Sequence, residues 1–189
     1  MNFKELNIKK ATSEHLTDIC ILARSLSLQR MPSDQSEQLG FLVSEFTKED
    51  YLSYIEKADH FYVLHQGYGL CGFLYAYSSD LIAENEWMNQ LIKSQHPEPF
   101  VLIKQICIQP FLMGKGLATH LYQHLFQQTA DCPLFTVIVT EPYNQRSVAF
   151  HKGHGFKEVF RRTPPDGIPR EVWKREQSLQ IDSTQRRSF

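Results

Sequence analysis

The chain has 189 residues, of which 42% are apolar and 22% charged, with a formal net charge of -1. That length allows a real core within one domain, and the composition is that of an ordinary globular protein. With no overall positive field and no basic block, neither nucleic acid nor a membrane surface is expected as a partner.

Cysteines stand at positions 20, 71, 107 and 132. None forms a CxxC pair or a common zinc spacing, so no metal site is expected. Cys20, Cys71 and Cys107 sit among apolar residues and read as buried thiols. The opening "MNFKELNIKK" has no apolar signal segment, and no apolar run could span a bilayer. A cytoplasmic setting is the expectation.

In chain order, "FKELNIKKA" alternates as a strand does, and Thr12 or Ser13 can cap the helix that follows. Leu16, Ile19, Cys20, Ala23 and Leu26 then recur at helical spacing. Pro32 and Gly40 punctuate a less regular stretch, before Thr47 caps a short helix in "KEDYLSYIEKA". Phe61–His65 and Leu70–Ser78 form a hairpin around Gly67 and Gly69. "LIAENEWMNQLIKSQH" predicts a helix with Trp87, Leu91 and Ile92 on one side, ended by Pro97 and Pro99. "FVLIKQICI" is a buried strand, and a glycine turn leads from it into the amphipathic helix "LATHLYQHLFQQTA". The strand "LFTVIV", a short helix from Asn144 to Gly153 or Gly155, and a hairpin of Phe156–Arg162 with Glu171–Lys174 complete the order. Residues 1–175 are expected to form one domain and 176–189 a loose polar tail.

The glycine turn raises the question of function. Gly114 and Gly116 stand where a strand gives way to a helix, whose first amides have no intrahelical partner and attract anions. A plain turn would use the same residues. A Walker loop is absent, and a dinucleotide fingerprint fails because Thr119 stands at the third glycine position. "MGKGLA", however, resembles the acyl-CoA pyrophosphate loop of the GCN5-related N-acetyltransferase (GNAT) superfamily. That pattern runs Gln or Arg, two residues, Gly, one residue, Gly or Ala. Gly116 and Ala118 match it, and Met113 departs at the first position. Downstream, "NQRSVAFHKGHGF" is similar to the family's second cofactor stretch through Asn144, Ala149, Phe150, Gly155 and Phe156. His151 stands where tyrosine is usual.

The resemblance implies an α+β fold: a mixed, mostly antiparallel sheet with a splayed parallel strand pair, flanked by helices. It implies acetyl-CoA as cofactor, with backbone groups of Ile106 and Ile108 on the pantetheine arm. The amides of Met113, Gly114, Lys115, Gly116, Leu117 and Ala118 would cradle the pyrophosphate. Asn144 and Phe150 would line the arm, although Asn144 is equally suited to capping its helix. The implied reaction is acetyl transfer to a primary amine of a small molecule or peptide by direct attack, without an acyl-enzyme. The alternatives are a non-catalytic acyl-CoA-binding sensor and a nucleotide-binding or structural domain with a chance GKG turn. A homodimer is common in the superfamily, and Trp173 would sit near the edge available to it.

Acetyl transfer needs a neutral amine, stabilisation of the thioester oxygen and a proton for the departing thiolate. His151 takes the place of the usual acid, and histidine can donate near neutral pH. Glu141, after the fifth strand, is the candidate base, or else a cap or surface charge. Cys107 would permit covalent catalysis, but no His or acid is placed beside it by sequence, and a packed thiol is favoured. By resemblance, the acceptor is set by roughly residues 29–54, Trp87 and the "RRTPPDGIPREVW" loop. Glu45, Glu49 and Asp50 could attract an amine or be ordinary helix charges. Tyr75 and Tyr77 could line a pocket or merely alternate along a strand.

Overall fold

The structure is a computed structural model that describes residues 6–32, 39–67, 69–129 and 132–176. The expected tail beyond Glu176 lies outside the described residues.

Among the described residues seven strands form one sheet: β1 Leu6–Lys10, β2 His60–Gln66, β3 Gly69–Ser78, β4 Val101–Ile108, β5 Leu134–Val139, β6 Lys157–Arg162 and β7 Arg170–Arg175. Their order across the sheet is β1-β2-β3-β4-β5-β7-β6, and every neighbouring pair is antiparallel except β4 and β5. Strand alternation divides the core in two. Phe73, Tyr75 and Tyr77 of β3 pack on one face, with residues of α1 (Leu16–Ser25), α2 (Lys48–Lys57) and α3 (Trp87–Gln95). Leu74 and Ala76 pack on the other, with α4 (Leu117–Gln128) and α5 (Gln145–Gly153). Among the described residues no helix is long and apolar enough to cross a membrane.

The helix starts follow local chemistry. Thr47 Oγ1 accepts from the Asp50 amide at 3.1 Å while Asp50 returns a bond to the Thr47 amide at 2.8 Å, a reciprocal cap that starts α2. Asn144 caps α5 by accepting from the Ser147 amide at 3.1 Å.

Two details of β4 shape the cleft. The parallel pairing with β5 covers only Val101↔Leu134, Leu102↔Phe135 and Ile103↔Thr136, and beyond those pairs the strands part. On its other side, β4 shifts register against β3: Tyr75 faces Gln105 but Ala76 faces Ile103, so Lys104 is an extra residue. Such a bulge turns two successive side chains to one face. Lys104 and Gln105 both reach partners on the α2 and α3 face, Glu86 and Tyr51 respectively. Gly72 admits the close approach of β3 to β4. A Cβ there would lie 2.5 Å from the Cys107 carbonyl oxygen.

Three expectations from the pattern change. Trp87 is 44% exposed, and Met88, Asn89 and Ile92 are the residues of α3 that turn inward. The helix is also shorter than the periodicity suggested, running from Trp87 to Gln95 rather than from Leu81. β6 is outermost and β7 lies between it and β5, so Trp173, though buried, is one strand from the sheet edge. Cys20 is half-buried, while Cys71 and Cys107 are buried.

Candidate acyl-transfer cleft

A cavity of about 770 Å³ opens where β4 and β5 part. Its walls come from β4 (residues 102–106 and Ile108), β5 (Thr136–Val139) and the loop and first turn of α4. Residues 39–44, the β3–β4 connection around Glu86, α5, and the β6–β7 loop at residues 164–166 close the remaining sides.

At one end lies the glycine turn. Gly114 and Gly116 have φ of 76° and 79°, a left-handed backbone that favours glycine. Gly116 caps α4, and the first intrahelical donor is His120 N–H, bonded to the Gly116 carbonyl at 3.1 Å. The amides of Leu117, Ala118 and Thr119 therefore begin the helix without intrahelical acceptors, as an anion site requires. Met113, Gly114, Gly116, Leu117 and Ala118 all line the cavity. Lys115 is exposed beside it and is not part of the wall.

Ile106 and Ile108 also line the cavity, on the stretch of β4 that pairs with β3 and no longer with β5. One backbone edge there faces the gap. Asn144 and Phe150 join the wall from α5. Both ends of the Asn144 amide are engaged, since Nδ2 donates to the Phe41 carbonyl at 3.0 Å while Oδ1 caps the helix. The residue thus ties α5 to the segment that covers the cleft.

His151 and Glu141 stand differently from one another. His151 lines the cavity but is only 3% exposed. Its Nδ1 lies 2.7 Å from the Ser147 carbonyl, which can only accept, so Nδ1 carries the proton. Nε2 must then accept, and it takes the Tyr122 hydroxyl at 2.7 Å. Burial lowers the imidazole pKa to about 4, so the ring is neutral at pH 7. In this arrangement neither nitrogen holds a proton for a group in the cleft. Glu141 is exposed on the turn after β5 and is not among the lining residues. Cys107 is fully packed, and burial pushes its thiol well above the ordinary range, which suits an unreactive side chain.

Two of the three carboxylates singled out for the acceptor are occupied, Glu45 and Asp50. Glu45 accepts from Ser27 and pairs with Arg30, and Asp50 is the α2 cap partner. Two carboxylates do line the cleft: Asp166, paired with Arg170, and Glu86, half-buried and paired with Lys104 Nζ at 2.8 Å. The Tyr77 hydroxyl and Asn89 Nδ2 donate to the same oxygen, Oε2. Burial opposes its charge, but Lys104, the Tyr77 hydroxyl and the Ala83 amide prevail and hold the carboxyl below its usual value. Sequence reasoning did not find this pair. The available signal was a lysine inside the otherwise uncharged strand "VLIKQICI".

The sequence model of the acetyltransferase (GNAT) family matches residues 28–156. The chain belongs to the GNAT acetyltransferase family. Solved structures agree on the fold at low identity. A GNAT-family acetyltransferase from Streptococcus agalactiae has a TM-score of 0.67 at 16% identity, covering 93% of this chain and 98% of its own. Arabidopsis thaliana Naa50, bound to the bisubstrate analogue CoA-Ac-MVNAL, has a TM-score of 0.63 at 13% identity, covering 91% and 99%. The Escherichia coli ribosomal-protein-S18-alanine N-acetyltransferase has a TM-score of 0.62 at 12% identity, covering 94% and 97%. No curated protein matches the chain by sequence. The splayed β4–β5 pair is the GNAT feature that opens the cleft, and acetyl-CoA-dependent acetyl transfer is the general activity that family membership supports.

Proposed function

We propose that the chain transfers an acetyl group from acetyl-CoA to a primary amine of a small molecule or peptide, by direct attack in a ternary complex. One observation carries this reading. The gap between β4 and β5 and the unpaired amides at the start of α4 belong to one continuous cavity. Pairing in an intact sheet would satisfy that strand edge, and a packed helix start would be capped, so a ligand with an extended arm and an anionic end fits both.

Acetyl-CoA supplies the thioester acyl group. The amides from Gly114 to Ala118 bind its pyrophosphate, and Lys115 adds charge nearby; the Met113 amide instead donates to the Pro110 carbonyl at 3.2 Å. The free backbone edge at Ile106 and Ile108 orients the arm, with Phe150 against it. The amine nitrogen bonds to the acyl carbon, the carbon–sulfur bond breaks, and the ammonium proton passes through water in the cleft to the thiolate or to solvent. The geometry of His151 and Glu141 leaves no direct donor or acceptor for that proton among the two, and this same observation favours a second reading, a sensor that binds acyl-CoA without turnover. The open edge of β6 would accommodate the homodimer, which light scattering at micromolar concentration decides.

The test joins calorimetry of acetyl-CoA binding to a thiol-release assay over polyamines, amino acids, aminoglycosides and peptide N-termini. Thiol release with at least one amine is expected. Tight binding without release over the whole panel would favour the sensor. The cofactor site itself is tested with Gly116→Val, which should bind acetyl-CoA at least about tenfold more weakly while remaining folded. Unchanged affinity in a folded variant overturns the assignment of the loop.

A further inference from the structure

A cofactor on the α4 start and the free edge of β4 leaves part of the cleft wall for the acceptor, and that part is apolar. Leu26, Phe41, Leu42, Val43, Trp87 and Met88 line it. Leu26 and Met88 are buried, Phe41, Leu42 and Val43 are half-buried, and Trp87 is exposed.

The segment carrying three of these side chains is fixed through its backbone. The Leu42 N–H donates to the Leu26 carbonyl at 2.8 Å, and the Leu42 carbonyl accepts from the Leu28 N–H at 2.9 Å. The Phe41 carbonyl accepts from Asn144 Nδ2 at 3.0 Å, and the Ser44 carbonyl from Gln105 Nε2 at 3.4 Å. Main-chain groups are thereby occupied, so what residues 41–43 offer a ligand is hydrocarbon surface.

The charges of the cleft are matched among themselves. Among the described residues its carboxylates are Glu86 and Asp166, and each already holds a cation, Lys104 at 2.8 Å and Arg170 at 2.6 Å. The remaining charged side chain of the wall, Arg146, is another cation. The Asn89 amide donates to Glu86, and Gln105 Oε1 accepts from the Tyr51 hydroxyl at 2.8 Å. A second ammonium on a ligand would meet no carboxylate without a counter-charge, and removing it from water on those terms is costly.

We propose that this wall receives the apolar tail of a monoamine acceptor, an uncharged alkyl or arylalkyl chain bearing one primary amine, and selects against diamines and polyamines. Only the reacting amine rests on the acyl-transfer reading. The tail is held by side chains that the cofactor does not need. Each methylene moved from water onto such a wall tightens binding by about two- to fourfold.

Direct binding tests it. Butyl-, pentyl- and hexylamine and 1,6-hexanediamine are titrated by calorimetry into the protein saturated with CoA. Affinity should rise about two- to fourfold with each added methylene, and hexylamine should bind at least about tenfold more tightly than the diamine of equal length. Trp87→Ala removes an exposed ring, so it should keep its thermal midpoint and its affinity for CoA while binding hexylamine about fivefold or more weakly. Val43→Ser makes the same test from the 39–44 segment if Trp87→Ala does not fold. A flat series overturns the proposal, as does a diamine that binds as tightly as hexylamine, or unchanged hexylamine affinity in the folded variant. A rising series without thiol release from acetyl-CoA would support the apolar wall and refute the acyl-transfer reading. Thiol release with a flat series would do the reverse, so the two failures are distinct.

Discussion

The Tyr122 hydroxyl and His151 Nε2 are 2.7 Å apart inside the protein, with Tyr122 fully buried between α4 and α5. The phenol donates and the imidazole accepts, because the other ring nitrogen donates to the Ser147 carbonyl. Phe150, His154 and Phe156 pack round the Tyr122 ring at centroid distances of 4.8, 5.3 and 6.0 Å. His151 thus fastens α5 to α4 along one wall of the cleft. Replacing it with Phe leaves a buried hydroxyl unpaired, which should cost about 1–3 kcal/mol of stability. The Tyr122→Phe/His151→Phe double variant should recover part of that loss, since both partners are then apolar. Urea denaturation of the two variants checks it, and additive losses would show that the bond contributes nothing.

The same residue makes stability depend on pH. Burial holds the His151 pKa at about 4 in the folded protein, against 6.5 ordinarily. Between those values the unfolded chain binds a proton that the folded one does not, so stability rises with pH. The contribution is complete above the unfolded value and is lost as pH falls from about 6.5 to about 4. It amounts to roughly 3 kcal/mol, at 1.36 kcal/mol for each unit. His60, His65, His96 and His124 are also lowered, all by burial first, and act in the same direction. Denaturation of wild type and His151→Asn at pH 7 and pH 5 should show a shallower pH dependence in the variant.

Gly72 tests the approach of β3 to β4. A Cβ would meet the Cys107 carbonyl oxygen and Ile108 Cδ1, both at 2.5 Å. The strands flanking the cleft would have to move apart, and overpacking of this kind costs about 1–3 kcal/mol or more. Gly72→Ala should lower the thermal midpoint and weaken acetyl-CoA binding together. A wild-type midpoint would show that the strands yield freely.

Asn144 serves two elements at once. Asn144→Ala should cost about 1 kcal/mol through loss of the cap, and more because the Phe41 carbonyl loses its donor. Asn144→Asp keeps the capping oxygen but cannot donate to Phe41. It should therefore recover only the helix share of the stability, measured by thermal denaturation, and leave the segment at residues 39–44 more open to limited proteolysis.

Cys107 should resist alkylation in the native protein. Its thiol is buried and kept protonated, whereas Cys20 and Cys132 are half-buried. Iodoacetamide followed by peptide mass mapping should label Cys20 and Cys132 first and Cys107 only on unfolding. Cys107→Ser should still release thiol from acetyl-CoA. Loss of release with retained binding would restore covalent catalysis as the mechanism.

The elements came through in the sequence because their signals are local. The β-rich apolar run "LFTVIV", the Thr47 and Asn144 caps and the two positive-φ glycines before α4 each act within a few residues, and they mark strand, helix and turn wherever the chain goes. The paired stretches "MGKGLA" and "NQRSVAFHKGHGF" were enough to indicate the family. What the tertiary structure decided is set by contacts between distant residues. Lys104 meets Glu86 only because β4 carries a bulge and the β3–β4 connection folds back over it. His151 looked like a residue on a short helix near the cofactor, and packing of α5 against Tyr122 made it a neutral, fully bonded side chain. Trp173 is buried although its strand is one from the sheet edge, a burial set by packing across the sheet. Burial and hydrogen-bond partners determine whether a histidine or a carboxylate can exchange a proton, and those are properties of the packed chain, which residue type and spacing do not carry.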